Sequence, residues 1–118
     1  AEHMVRAAHH TFGLDTVITR CGNNYGPRQF PEKLLPLLIS NAQRDQPIPV
    51  YGDGRNVRDW IYVDDHARGI WRVLESGKSG DVYCLGARNA RRNLEVVKSV
   101  LDLLGKPHSL ITFVKDRP

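Results

Sequence analysis

Apolar side chains recur at helical spacing in four stretches of the chain. From Glu2 to Phe12, Met4, Ala8 and Phe12 fall on one face and Gly13 supplies a stop, which predicts a helix that starts without a capping residue. From Pro31 to about Arg44, Leu35, Leu38, Ile39 and Ala42 form a second stripe. Pro31 suits a first helical turn, but the ring of Pro36 would meet the carbonyl four residues back if the helix already ran from Glu32. The regular helix therefore starts closer to Pro36, with Phe30 to Leu35 as a shaped lead-in; the alternative is a kinked helix carrying Lys33 on its surface. Asp64 or Asp65 can cap a third helix, whose expected buried face is Ala67, Ile70, Trp71 and Leu74. Asn93 is placed as the cap of a fourth, with Val97, Val100, Leu101 and Leu104 inward and Gly105 as the stop.

Between the helices lie short extended pieces. Thr16 to Arg20 reads as a buried strand. Gln46-Pro47-Ile48-Pro49 is a stiff connector, and Val50-Tyr51 starts an extended piece that Gly52-Asp53-Gly54 ends in a hairpin or tight turn. Val57 to Val63 alternates Arg58, Trp60 and Tyr62 against Val57, Asp59, Ile61 and Val63, as a half-buried strand does. Asp81 to Leu85 and Ile111 to Val114 are further strands, and Ala87 to Arg92 is a polar, basic loop. Interleaved strands and helices predict an α/β fold, in which ligands sit beyond the carboxyl ends of strands. Asn23 and Asn24 fall there.

Composition narrows the function classes. The 118 residues are 41% apolar, enough for one core, and carry a formal charge of +4 with a pI near 9.3. The basic residues are scattered, only Arg91 and Arg92 are adjacent, and no nucleic-acid motif accompanies them, so a small anion such as a nucleotide diphosphate is the better partner. No membrane-spanning stretch and no secretory pattern is visible. Cys21 and Cys84 stand apart without ligand spacing, which points to reduced thiols in a cytoplasmic protein. His9 and His10 point in different directions on a helix, so no metal site is expected.

Two clusters carry the chemistry: Asn23 to Leu38, which turns on Gly26-Pro27 and runs into a helix start, and Val50 to Ala67. Unpaired N–H groups and the dipole at a helix start favour a phosphate. In this order, and with the closing Val114-Lys115-Asp116-Arg117-Pro118, the clusters resemble the nucleotide-sugar dehydratases and epimerases of the extended short-chain dehydrogenase/reductase family. The resemblance covers nearly the whole chain. Relatives acting on UDP-galactose or GDP-mannose look less alike at the first cluster, so a dTDP-sugar is the implied substrate and NAD the implied cofactor.

The resemblance implies an extended Rossmann-type fold of which this chain is the C-terminal substrate-binding part. Residues 1–24 would be the tail of the NAD-binding domain, with one or two strands of its parallel sheet, and residues 25–118 a nucleotide-sugar-binding domain. Arg58 and Arg117 would take the diphosphate, a role suited to the planar guanidinium fork. Asn23 and Asn24 would lie between the nicotinamide end of the cofactor and the sugar diphosphate. Lys33 and Leu34 would lie along the nucleotide, Pro49 and Tyr51 near the base, and Asn93 at the base or diphosphate. Glu32 would orient the sugar or simply favour the helix start. Asp59, Asp64, Asp65 and His66 read as a cap and a salt-bridged shoulder rather than acid–base groups. The strand end Tyr83-Cys84-Leu85-Gly86-Ala87 departs from the Asn-Ile-Gly-Gly of relatives, which bears on hydrogen bonding near Asn93.

Three features of the family are not found: a glycine-rich dinucleotide turn, a Tyr-x-x-x-Lys pair and an adjacent Asp-Glu pair. The expectation is a fragment with no catalytic residue of its own, inactive alone, whose parent is a homodimer involving the first helix. Two other readings stay open: a piece of a UDP-sugar epimerase or decarboxylase, and a binding module without catalysis.

Overall fold

A computed structural model describes residues 1–115 and shows an α/β arrangement of four helices and seven strands over that range. Helix α1 (Glu2–Phe12) ends at Gly13, whose φ of 64° is a left-handed cap that a side chain would strain. Strands β1 (Ile18–Cys21) and β2 (Asn23–Tyr25) follow, separated by Gly22. Then come α2 (Leu34–Gln43), β3 (Ile48–Tyr51), β4 (Val57–Tyr62) and α3 (Val63–Ser76). The chain continues as β5 (Val82–Leu85), β6 (Ala90–Arg92), α4 (Asn93–Leu103), a short 3-10 turn (His108–Leu110) and β7 (Ile111–Val114).

The strands form three small sheets. β1 and β5 pair in parallel, as do β3 and β7; β4 is flanked by parallel β2 and antiparallel β6. The best-formed core lies between α2, α4 and the β3–β7 pair, where Leu38, Ala42, Ile48, Val50, Val97 and Leu101 are buried together. No helix of the described residues is long and apolar enough to cross a membrane.

Several expectations change. α2 starts at Leu34, so Pro36 is its third residue and the carbonyl its ring would meet lies outside the helix, which removes the clash. Ile39, expected inside, is exposed. Gly52-Asp53-Gly54 makes a tight turn and not a hairpin, because β3 pairs with β7 and not with β4. Asn93 is the first residue of α4 and not its cap: its N–H donates to the carbonyl of Asn56, and that of Leu94 to Gly54, so the preceding turn satisfies the helix start. Neither Asp64 nor Asp65 caps α3, which begins at Val63; both sit in its first turn, where the dipole favours them.

The helices on the β1–β5 side also turn differently from their sequence patterns. α3 presents His66, Gly69 and Val73 inward, and Gly69 packs where an added Cβ would come within 3.3 Å of Leu85. Ile70, Trp71 and Leu74 face outward, the last two 62% and 67% exposed. In α1, Val5 and Ala8 are half-buried while Met4 and Phe12 are 77% and 75% exposed. β1 is half-buried at best.

Candidate nucleotide-sugar site

The three-stranded sheet sorts the candidates by face. Residues paired in register share a face, and successive residues alternate. Asn23 is paired with Trp60 and Tyr25 with Tyr62, so they share the face of Arg58 and its partner Arg91. Ring contacts agree: Tyr25 meets Trp60 edge-on at 6.4 Å and Tyr62 at 5.5 Å between centroids. Asn24 is paired with Ile61 and belongs to the opposite face. Its Nδ2 donates to Cys21 Sγ at 3.3 Å, and its Oδ1 is buried with no hydrogen-bond partner among the described residues.

Arg58 is exposed, and its only side-chain hydrogen bond among the described residues runs from Nη1 to the Val57 carbonyl at 3.0 Å. No described carboxylate lies within ion-pair distance of it. Across the ladder Val57 is opposite Arg92, which places Asn93 beside the start of β4. The Asn93 Oδ1 is buried and lacks a partner among the described residues. The turn whose carbonyls accept from the N–H groups of Asn93 and Leu94 follows Tyr51, at the carboxyl end of β3 and next to the end of β7. Tyr51, Arg58 and Asn93 therefore gather around one turn.

Pro49 sits within β3 opposite Thr112. Lys33 is the extended residue before α2 and Leu34 its first, so the N–H groups of that helix start are carried by the predicted segment. Glu32 is exposed just ahead of it. Arg117 lies outside the described residues. Of the acidic shoulder, Asp65 pairs with Arg68, but among the described residues Asp59 bonds backbone and not a cation.

The structure adds residues that the sequence reading did not single out. A cleft of about 310 Å³ opens on the Arg58 face of the sheet, lined by Tyr25, Leu35, Trp60, Arg91 and Ser99 among others. Trp60 Nε1 is buried and without a partner among the described residues. None of Asn24, Lys33, Arg58 or Asn93 lines this cleft, whose walls are their neighbours. The adjacent pair Arg91-Arg92 was the visible signal, but only the β4–β6 register shows that Arg91 lies opposite Arg58.

The profile of the NAD dependent epimerase/dehydratase family matches residues 1–86. The chain belongs to that family. Across its full length it is 50% identical to the dTDP-glucose 4,6-dehydratase of Neisseria gonorrhoeae, covering 37% of that protein, and 46% identical to dTDP-glucose 4,6-dehydratase 1 of Escherichia coli, covering 35%. The chain thus spans little more than a third of the length of the curated relatives it matches. Among solved structures, the dTDP-glucose 4,6-dehydratase DesIV of Streptomyces venezuelae, with NAD bound, superposes with a TM-score of 0.95 at 47% identity, over 98% of this chain and 36% of that one. UDP-glucuronic acid 4-epimerase of Bacillus cereus reaches 0.92 at 33% identity, over 99% and 38%. This family member has the α/β fold of those enzymes.

Proposed function

We propose that this chain forms the nucleotide-sugar side of a dTDP-glucose 4,6-dehydratase, an NAD-using enzyme that converts dTDP-glucose to dTDP-4-keto-6-deoxyglucose with loss of water. The single observation that carries this reading is the 50% identity to such a dehydratase across the whole chain, against 33% for the UDP-glucuronic acid epimerase. Residues 1–24 then belong to the NAD-binding domain and residues 25–118 to the nucleotide-sugar domain. The longer protein is a cytoplasmic homodimer.

The residue roles follow from charge and unmet hydrogen bonds. Arg58, with no described carboxylate beside it, keeps its full charge for the diphosphate, and Arg117 joins it. Asn93 Oδ1, buried without a partner among the described residues, accepts from an N–H of the base or from a water on the diphosphate. Tyr51 and Pro49 flank the base, and Lys33 and Leu34 meet the nucleotide at the start of α2. Glu32 orients the sugar. Asn23 contributes from the Arg58 face. Asn24 fits a part in holding NAD, since its buried Oδ1, without a partner among the described residues, suits an amide donor. NAD, when bound, would supply the hydride acceptor and donor for the sugar, and Asn23 and Asn24 are the residues of this chain that would help to hold it. The acid–base groups for water loss across C5 and C6 come from outside this chain, which has no Tyr-x-x-x-Lys pair and no adjacent Asp-Glu pair.

Two measurements test this. The 118-residue chain alone should bind dTDP weakly or not at all and should not turn over dTDP-glucose; turnover would overturn the division of labour. In the full-length protein dTDP should raise the melting temperature more than UDP. The reverse order would favour the second reading, a UDP-sugar epimerase, which the fold likeness at a TM-score of 0.92 supports.

A further inference from the structure

Asp59 has no cationic partner among the described residues, yet both of its carboxylate oxygens are hydrogen-bonded. Oδ2 accepts from the N–H of Ala87 at 3.1 Å and Oδ1 from that of Asn89 at 2.8 Å. Arg88, between the two donors, has a φ of 53°, the left-handed region that a non-glycine residue adopts at a cost. Two backbone N–H groups converging from either side of a left-handed residue form an anion-binding concavity. Here a carboxylate of the same chain fills it.

The surroundings are shaped to that carboxylate. A Cβ on Gly86 would come within 2.4 Å of Asp59 Oδ2, and one on Gly22 within 2.7 Å of the Asp59 carbonyl. Two segments thus close on this residue of β4: the β1–β2 junction and the loop from β5 to β6. That loop leads directly into Ala90–Arg92, whose Arg91 is opposite Arg58, and then into Asn93. The peptide after Asp59 adds a contact of its own, the Trp60 N–H donating to the Asn89 carbonyl at 3.4 Å.

We propose that Asp59 is a positioning residue of the nucleotide-sugar site: its carboxylate latches the 86–89 loop and so fixes Asn93 and the start of α4 in register with Arg58. The inference rests on the reading of that site given above. Charge and geometry both matter. An asparagine of the same volume offers one oxygen and one NH2, so one of the two N–H donors would face another donor.

The test uses the full-length protein, with hydrogen exchange of the 87–92 peptides and calorimetric titration with dTDP. In D59N, exchange over 87–92 should speed up at least tenfold and the dTDP Kd should rise about tenfold. D59N/R88G should recover much of both, because glycine holds the left-handed turn without help. R88P reaches the same state from the loop side, since proline cannot adopt a positive φ. It should weaken dTDP binding with Asp59 intact, which also serves if D59N does not fold. Unchanged exchange in D59N, or faster exchange with unchanged dTDP affinity in both D59N and R88P, would overturn the proposal. A wild-type protein that does not bind dTDP would instead sink the reading of the site, while the exchange result still decides whether the latch exists.

Discussion

Helices α3 and α4 carry apolar stripes of similar regularity, yet they meet different surroundings. α4 buries Val97 and Leu101 completely beneath α2 and the β3–β7 pair. α3 lies on β1 and β5 through His66, Gly69 and Val73, and leaves Ile70, Trp71 and Leu74 facing out. An amphipathic pattern shows that a face is apolar; it does not show what covers it. The small side of α3 wins the sheet because Gly69 permits close approach to Leu85, so the larger residues turn away. α1 repeats the arrangement with Met4 and Phe12. Contiguous exposed apolar residues of this kind mark surfaces suited to association.

The sharpest way to break this contrast is a pair of truncations in the isolated chain. Leu101→Ala should destabilise by about 2–5 kcal/mol in urea unfolding, because it opens a cavity in a filled core. Trp71→Ala should change stability by no more than about 0.5 kcal/mol, as for a surface site. Equal effects would mean that the two helices are buried alike. A smaller loss is expected where the core meets the turn under Asn93. Gly54 has a φ of 70°, and a Cβ there would lie 2.9 Å from both Leu94 Cβ and Val50 Cγ1. Gly54→Ala should therefore cost about 2 kcal/mol, combining left-handed strain with crowding, and the same urea titration checks it.

The smallest effect belongs to the outer side. Arg20 donates to Glu2 through Nε at 2.8 Å and Nη2 at 2.5 Å, tying α1 to β1. That hydrogen bond, helped by the Arg20 charge, holds the Glu2 carboxyl below the usual carboxylate range. A lowered folded-state value adds stability above the unfolded value and loses it as pH falls through the folded one, so any contribution fades on the acid side. The pair is solvent-exposed, so the change in unfolding midpoint should be slight. An NMR titration of the Glu2 side chain should shift upward in Arg20→Gln. An unmoved titration would remove the pair from the account.

Elements with their own apolar period were legible in the sequence: α1, α4, β4 and β7 occur essentially where their patterns placed them. β2 and β6 were not, since Asn-Asn-Tyr and Ala-Arg-Arg carry no apolar alternation and become strands only by pairing with β4. The same gap limited the site. With β2 unseen, Asn23 and Asn24 read as one unit, whereas the strand sends them to opposite faces. Reading Asn93 as a cap likewise missed that carbonyls of the preceding turn already serve the helix start, leaving its Oδ1 without a partner among the described residues. Asp59 showed only its charge in the sequence; the concavity that receives it depends on a loop conformation fixed by long-range contacts.

One residue, Gly22, separates β1 in one sheet from β2 in the next. With so short a link, and with backbone of β4 pressed against it, there is no slack for the two sheets to swing independently. Any opening or closing motion of the molecule must find its hinge elsewhere, and a tilt imposed on the β1–β5 pair would pass stiffly into the strands that carry Arg58 and Arg91.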